Sequence, residues 1–260
     1  MTGRGDDGAR IRAAAALRPA PLKRFYKSVT VAPGPAQGAG GLPTGFGVLL
    51  DNKPLRTPAK AKLTVPTRAL AEAVAAEWEA QGEHVDGAAM PMTRLVNSAI
   101  DGVATRLADV RADIVAFAAS DLVCYRAEEP GPLVQRQRQH WDPVIVWARE
   151  ALGARLEVAA GLMPVTQPQQ ARASIVSALE GLDAFRLAAL HVMTTLTGSA
   201  LLALAHAGGA LTAEAAWAAA HVDEDFQISQ WGEDAEAAAR RSRRWAEMQA
   251  ASRMLELLGR

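Results

Sequence analysis

Residues 187–213, LAALHVMTTLTGSALLALAHAGGALTA, contain no Asp, Glu, Lys or Arg, and whether they cross a bilayer or fill a core decides the architecture. Their length exceeds the roughly 20 residues that span a membrane. Yet His191, Thr194, Thr195, Thr197, Gly198, Ser199 and His206 interrupt the run, and alanine supplies much of the remainder. Neither flank carries an aromatic belt or a one-sided Lys/Arg excess. The stretch therefore reads as part of a buried central helix over 183–207, with Gly198 and Ser199 small enough to admit a close neighbour. No membrane insertion is expected.

Working outward, further helices are expected over 131–152, 168–181, 212–224 and 231–258, with breaks at Gly153, 161–168, Gly181 and Gly208-Gly209. A short strand is expected at 156–158. Toward the N-terminus the texture is extended: Phe25, Tyr26, Val29 and Val31 are separated from Phe46, Val48 and Leu50 by a Pro/Gly-rich loop, which is a hairpin signal. Asp51-Asn52-Lys53-Pro54 makes a second turn, and Leu55, Leu63 and Val65 offer further strand positions, giving three or four antiparallel strands. After Pro66 the period becomes helical. Leu70, Val74 and Trp78 recur on one face behind Thr67 as N-cap, and short helices follow at 91–101 and from Thr105. Strands first and helices afterwards predict an α+β fold. The expected divisions are a flexible tail over 1–22, a small α/β domain over 23–104 and a helical domain over 105–260.

Lys+Arg and Asp+Glu number 28 each, so the chain lacks the positive field that nucleic-acid binding needs. The balance hides a dipole. Residues 1–62 carry eleven basic and three acidic side chains, leaving 17 basic and 25 acidic for the rest, and such an acidic part suits a cationic partner surface. The single cysteine, Cys124, excludes an internal disulfide framework. The N-terminal arginines resemble a transit peptide only loosely, because Asp6 and Asp7 sit where such peptides avoid acids.

The chemistry-bearing patterns are mostly absent. Gly38, Gly40 and Gly41 do not complete a dinucleotide fingerprint, since Pro43 occupies the third glycine position and no helix pattern follows. The histidines lack zinc-protease spacing, and there is no nucleophile elbow or phosphate loop. His191 reads as a satisfied core histidine and Cys124 as a small buried thiol. Asp223, Glu224, Asp225, Glu233, Asp234 and Glu236 place six acids within fourteen residues. Ile228 and Asp234 fall where a calcium loop of the EF-hand type needs Gly and Glu, so no metal, cofactor or catalytic residue is assigned. The bland account is that Glu233, Asp234 and Glu236 charge the first turns of the last helix ahead of Arg240, Arg241, Arg243 and Arg244.

Seven blocks add a resemblance over most of residues 23–250. They are KRFYK at 23–27, LLDNKPLRTP at 49–58, RLVNSAID at 94–101, DLVCYR at 121–126, QHWDP at 139–143, Thr194 with Leu196, Gly198 and Ser199, and DEDFQ at 223–227 leading to WGED at 231–234. In this order they resemble the ATP-twelve family, assembly chaperones of the catalytic head of F-type ATP synthase. The resemblance implies a two-part fold with an orthogonal helical bundle, and a non-enzymatic protein. It also implies binding of the unassembled α subunit, shielding it from aggregation until the β subunit takes its place. The resemblance puts the functional emphasis on Glu233, with Asp234, Asp223 and Glu224 beside it; on physical grounds these carboxylates are expected to form a polar rim around Trp231 as aromatic anchor, with Gln227 in the contact set. A monomer when free is expected, in the bacterial cytoplasm, or in the mitochondrial matrix if the source is eukaryotic. The alternative is an enzyme of unknown reaction using Asp223, Glu224, Glu233 and Asp234.

Overall fold

Alternating apolar side chains build a small antiparallel sheet at the N-terminal side. The computed structural model describes residues 22–34, 45–161 and 163–259. Strand β3 (Phe46–Leu50) is the centre of the sheet. Strand β2 (Val29–Pro33) lies along one side of it, in register from Val29↔Leu50 to Pro33↔Phe46. The other side is shared by β4 (Lys53–Pro54), reached through a turn whose Asp51 and Asn52 have φ of 46° and 64°, and by β5 (Thr64–Val65). Asp and Asn tolerate this left-handed turn. The Asp51 carboxylate accepts from the N–H groups of Lys27 (3.0 Å) and Ser28 (2.9 Å), which holds its pKa down and pins the chain before β2.

Helix α1 (Arg68–Glu79) covers the sheet with Leu70, Ala71 and Val74. Its N-cap is Thr67, whose hydroxyl accepts from Leu70 N–H and donates to the Leu257 carbonyl at 2.9 Å, tying the sheet region to the far end of the chain. Glu77 accepts from the Met92 and Thr93 N–H groups at 2.7 Å each, so a side chain of α1 satisfies the start of α2 (Pro91–Asp101). Asp101, at the other end of α2, accepts from the Thr57 hydroxyl (2.6 Å) and Ala59 N–H (3.0 Å).

The remaining helices are α3 (Leu107–Ala119), α4 (Gly131–Ala151), α5 (Gln169–Leu179), α6 (Ala184–Thr197), α7 (Ala200–Ala207), α8 (Ala213–Ala220), α9 (Val222–Trp231) and α10 (Ala235–Leu257). Helix α6 is central and packs on α2, α3, α7 and α10. The fold is α+β, with the apolar stretch buried as expected; Leu187, Ala189, Met193, Leu201 and Leu202 have no exposed surface. Among the described residues no helix is long and apolar enough to cross a membrane.

Several boundaries differ from expectation. The helix expected over 183–207 is two helices: Gly198 adopts φ 68°, where L side chains are disfavoured, and Ser199 caps α7 by accepting from Leu202 N–H at 3.0 Å. The helix expected over 212–224 also breaks, at His221, so the acids after it open α9 instead of ending a helix. The strand expected at 156–158 lies at Ala159–Ala160 (β8), where it pairs in parallel with Tyr125–Arg126 (β7). Phe25 and Tyr26 are not in a strand. Tyr26 is buried beside Trp78 and donates to its carbonyl at 2.7 Å. The tail expected over 1–22 ends inside β1 (Leu22–Lys23), because Leu22 pairs with Val85 of β6 (His84–Val85); its other residues, and Gly38, Gly40, Gly41 and Pro43, lie outside the described residues.

The break before α7 is held from a distance. Asp121, wholly buried, accepts from Val123 N–H at 3.2 Å and from Leu201 N–H, in the first turn of α7, at 3.0 Å, while Leu122 N–H donates to the Gly198 carbonyl at 3.3 Å. Burial outweighs these hydrogen bonds and pushes the Asp121 pKa up to about 6. An unfolded aspartate titrates near 3.9. The folded state thus binds the proton more tightly, and this group's contribution to stability is full below about pH 4 and is lost as pH rises through about 6. Replacing one carboxylate oxygen in Asp121→Asn removes an acceptor from buried donors and should cost about 1–3 kcal/mol. Chemical denaturation should show that loss in full at pH 4.5 and a smaller one at pH 7.5, where the wild-type carboxylate carries its buried charge, so the variant has a weaker pH dependence than wild type. An unchanged midpoint at both pH values would exclude this role.

Candidate functional site

The acids after His221 meet the acids before α10 because the chain turns sharply at Gly232. Its φ of 87° and ψ of 172° lie in a region essentially confined to glycine, so α9 stops and α10 can start three residues later in a different direction. The corner encloses a concavity of about 250 Å³ whose lining includes Glu224, Gln227, Trp231, Glu233, Asp234 and Arg241. Five of the six expected contact residues are therefore brought together. Asp223 is not among them.

The carboxylates divide by what they already hold. Asp223 points back into the bundle and accepts from Gln137 Nε2 at 2.7 Å; Gln137 is itself buried and its carbonyl accepts from Ala127 N–H at 2.8 Å. Asp225 pairs with Arg241, which raises the Arg241 pKa and binds α9 to α10. Asp234 is the N-cap of α10, accepting from Ala237 N–H at 2.8 Å. Glu233 precedes the helix and makes no hydrogen bond within the described residues. The expectation that Glu233 charges the helix's first turn is corrected, because the turn at Gly232 places it outside the helix and gives the capping role to its neighbour.

Among the described residues Glu224 has no side-chain hydrogen bond of its own in the corner. Its Oε2 lies 3.8 Å from His221 Nε2, close enough to pair with an imidazolium, but burial lowers the His221 pKa against the opposing pull of the Trp217 carbonyl, 2.7 Å from Nδ1. A charged ring is thus disfavoured, and the cation whose field Glu224 shares with Asp225 and Glu233 is Arg241. Beside Glu224 and Glu233, Trp231 is 79% exposed, a large aromatic surface with no packing role. Arg241 is the participant that sequence reading missed as part of the site. Its position in a run of four arginines suggested only a charged helix face.

Elsewhere the expected residues have quieter roles. Cys124 is fully buried, and burial with the nearby Asp121 charge pushes its thiol up to about 12, far from thiolate reactivity at neutral pH. His191 is not a core histidine. It is one-third exposed on α6, with Nε2 3.8 Å from Asp113. Among the described residues no group of three or more His, Cys, Asp or Glu is placed to hold a metal ion. The corner offers charge and an aromatic face to a partner, without a nucleophile and base arranged for a reaction.

Comparison with known proteins places the chain. The family model described as ATP12 chaperone protein matches residues 23–149. A chaperone candidate from Agrobacterium tumefaciens is 50% identical in sequence, with a TM-score of 0.86 over 95% of this chain and 90% of that one. Atp12 from Paracoccus denitrificans is 40% identical with a TM-score of 0.82, covering 91% of this chain and 98% of its own. An aspartate-to-lysine variant of the Paracoccus protein matches equally well in structure, at 41% identity over 91% of this chain. The structural likeness thus extends well beyond the residues matched by the family model. This chain belongs to the ATP12 chaperone family.

Proposed function

We propose that this protein is an assembly chaperone of the F-type ATP synthase catalytic head, binding the unassembled α subunit and shielding it from aggregation until β replaces it. Membership of the ATP12 family supports assembly of that head as the task. The observation that carries the contact is the corner between α9 and α10, where Glu224, Glu233 and Asp234 outnumber the lining's Arg241, already paired with Asp225, around an exposed Trp231. Charged groups that the fold does not consume are those available to steer and orient a partner, and an exposed tryptophan is the side chain that most often anchors one. Gln227 and Asp234 line the same concavity, whereas Asp223 supports it through Gln137.

The protein acts in this reading by binding, as a monomer in the bacterial cytoplasm and without a cofactor. A transient interface must yield to the β subunit, so a small anchored patch with a polar rim suits it better than a large dry surface. Isolated α subunit diluted into buffer should scatter less light when this protein is equimolar. Scattering that is the same with and without it would overturn the function.

The division of the acids separates stability from binding. Asp234→Ala should cost about 1 kcal/mol of stability through the lost cap. Glu233→Gln should leave the melting temperature unchanged while weakening α-subunit binding at least tenfold, and Trp231→Ala should behave in the same way. Calorimetry of the free variants and titration with α subunit read the two effects apart. Wild-type affinity in both Glu233→Gln and Trp231→Ala would remove the corner from the interface.

A further inference from the structure

The block RLVNSAID at 94–101 contains two residues that neither the fold nor the acid corner uses. Leu95, Val96, Ala99 and Ile100 are buried, Asp101 holds Thr57, and Arg94 pairs with Glu247 of α10 at 2.9 Å. Asn97 and Ser98 have no such employment. The Asn97 side-chain oxygen is buried from solvent yet has no hydrogen-bond partner, although an orphaned buried acceptor is costly, and Ser98 is exposed.

Both residues line open space, although the Asn97 oxygen itself is covered. One concavity, of about 370 Å³, lies between α2, α6 and α10 and includes Leu95, Ser98, Val192 and Glu247 in its walls. A second, of about 470 Å³, lies between α2, α3 and α6 and includes Asn97, Ser98, Asp109, Asp113 and His191. Ser98 belongs to both, and His191 and Val192 are consecutive on α6, so the two form one groove over the outer face of the central helix. Its acids are Asp101, Asp109, Asp113 and Glu247 against Arg94 and Arg106. Arg94 and Glu247 pair with each other, so Asp101, Asp109 and Asp113 against Arg106 leave the groove net negative.

We infer that this groove is a second contact surface for the client, taking an extended, basic polypeptide segment across exposed Ser98 and the carboxylates of α3. The inference rests on the proposed function in taking the client to be the α subunit. Charge complementarity selects the occupant: an acidic groove favours Lys- or Arg-bearing chain over an acidic or purely apolar one. Contact at two places on one protein also raises affinity without either place being large, since the second forms at a high effective concentration.

The test compares groove and corner variants in titrations with isolated α subunit. Ser98→Trp blocks the junction of the two concavities from an exposed helix position, and a double charge reversal, Asp109→Lys with Asp113→Lys, alters exposed positions of α3. Circular dichroism and melting curves check that each variant remains folded. The expected result is a tenfold or greater weakening for both, with the double reversal losing most of its effect in high salt. Groove variants that bind within twofold of wild type, while Trp231→Ala weakens binding, would overturn the groove and leave the corner standing. No binding by the wild-type protein would instead remove the functional reading and the groove with it. Sedimentation adds one more outcome against the inference: a wild-type dimer that Ser98→Trp dissolves would assign the groove to a second copy of this chain.

Discussion

Asp121 is buried without a cationic partner, and its carboxylate accepts from Val123 N–H at 3.2 Å and from the first turn of α7 through Leu201 N–H at 3.0 Å. A charge there is costly, as the upward shift of its pKa to about 6 records, and the Ser199 hydroxyl together with the N–H groups of Val123 and the helix start make the site tolerable. The arrangement demands that a helix begin at Ala200. The charge-free stretch must therefore break at Gly198, α6 and α7 must part, and the surrounding helices must pack on two short rods. The bilayer question is answered by the same break, because α6 at fourteen residues rises only about 21 Å.

The blocks that carried the family resemblance are joined to one another in space. Asp51 of the second block holds Lys27 of the first, and Asp101 of the third holds Thr57 of the second. Arg126 of the fourth pairs with Asp142 of the fifth at 2.8 Å and lies 5.2 Å over the Trp141 ring, and the Trp141 indole N–H donates to the Ala219 carbonyl at 2.7 Å. Asp121 reaches the sixth block. Several of the recognisable residues are thus long-range polar clasps between elements, which explains why no single block had a local meaning in the sequence. Among the described polar and aromatic residues of the blocks, Glu233, Trp231 and Ser98 make no such side-chain clasp.

Local patterns made much of the fold legible. Period-two alternation marked β2 and β3, and Pro91 marked the first turn of α2, since its missing N–H is harmless there. What was not legible depended on partners far along the chain. Gly198 reads equally well as a close-packing site or a helix break, and Asp121, eighty residues away, decides between them. In the acid run, nothing local distinguishes Asp223 from Glu224, yet buried Gln137 takes the first while the second lines the corner with Arg241. The placement of Glu233 outside α10 follows from the backbone of Gly232, a signal present in the sequence but without a unique reading until the helix direction was known.

In the proposed complex, α9, the Gly232 turn and the start of α10 form the surface that meets the client. Amide hydrogen exchange on this protein, free and saturated with isolated α subunit, tests it directly, because an interface slows exchange where it covers the backbone or damps local opening. The predicted result is slower exchange in peptides spanning 224–238, whose loop and helix start are exposed in the free protein. Saturated binding with unchanged exchange across 224–238, and protection confined to other parts of the molecule, would contradict it.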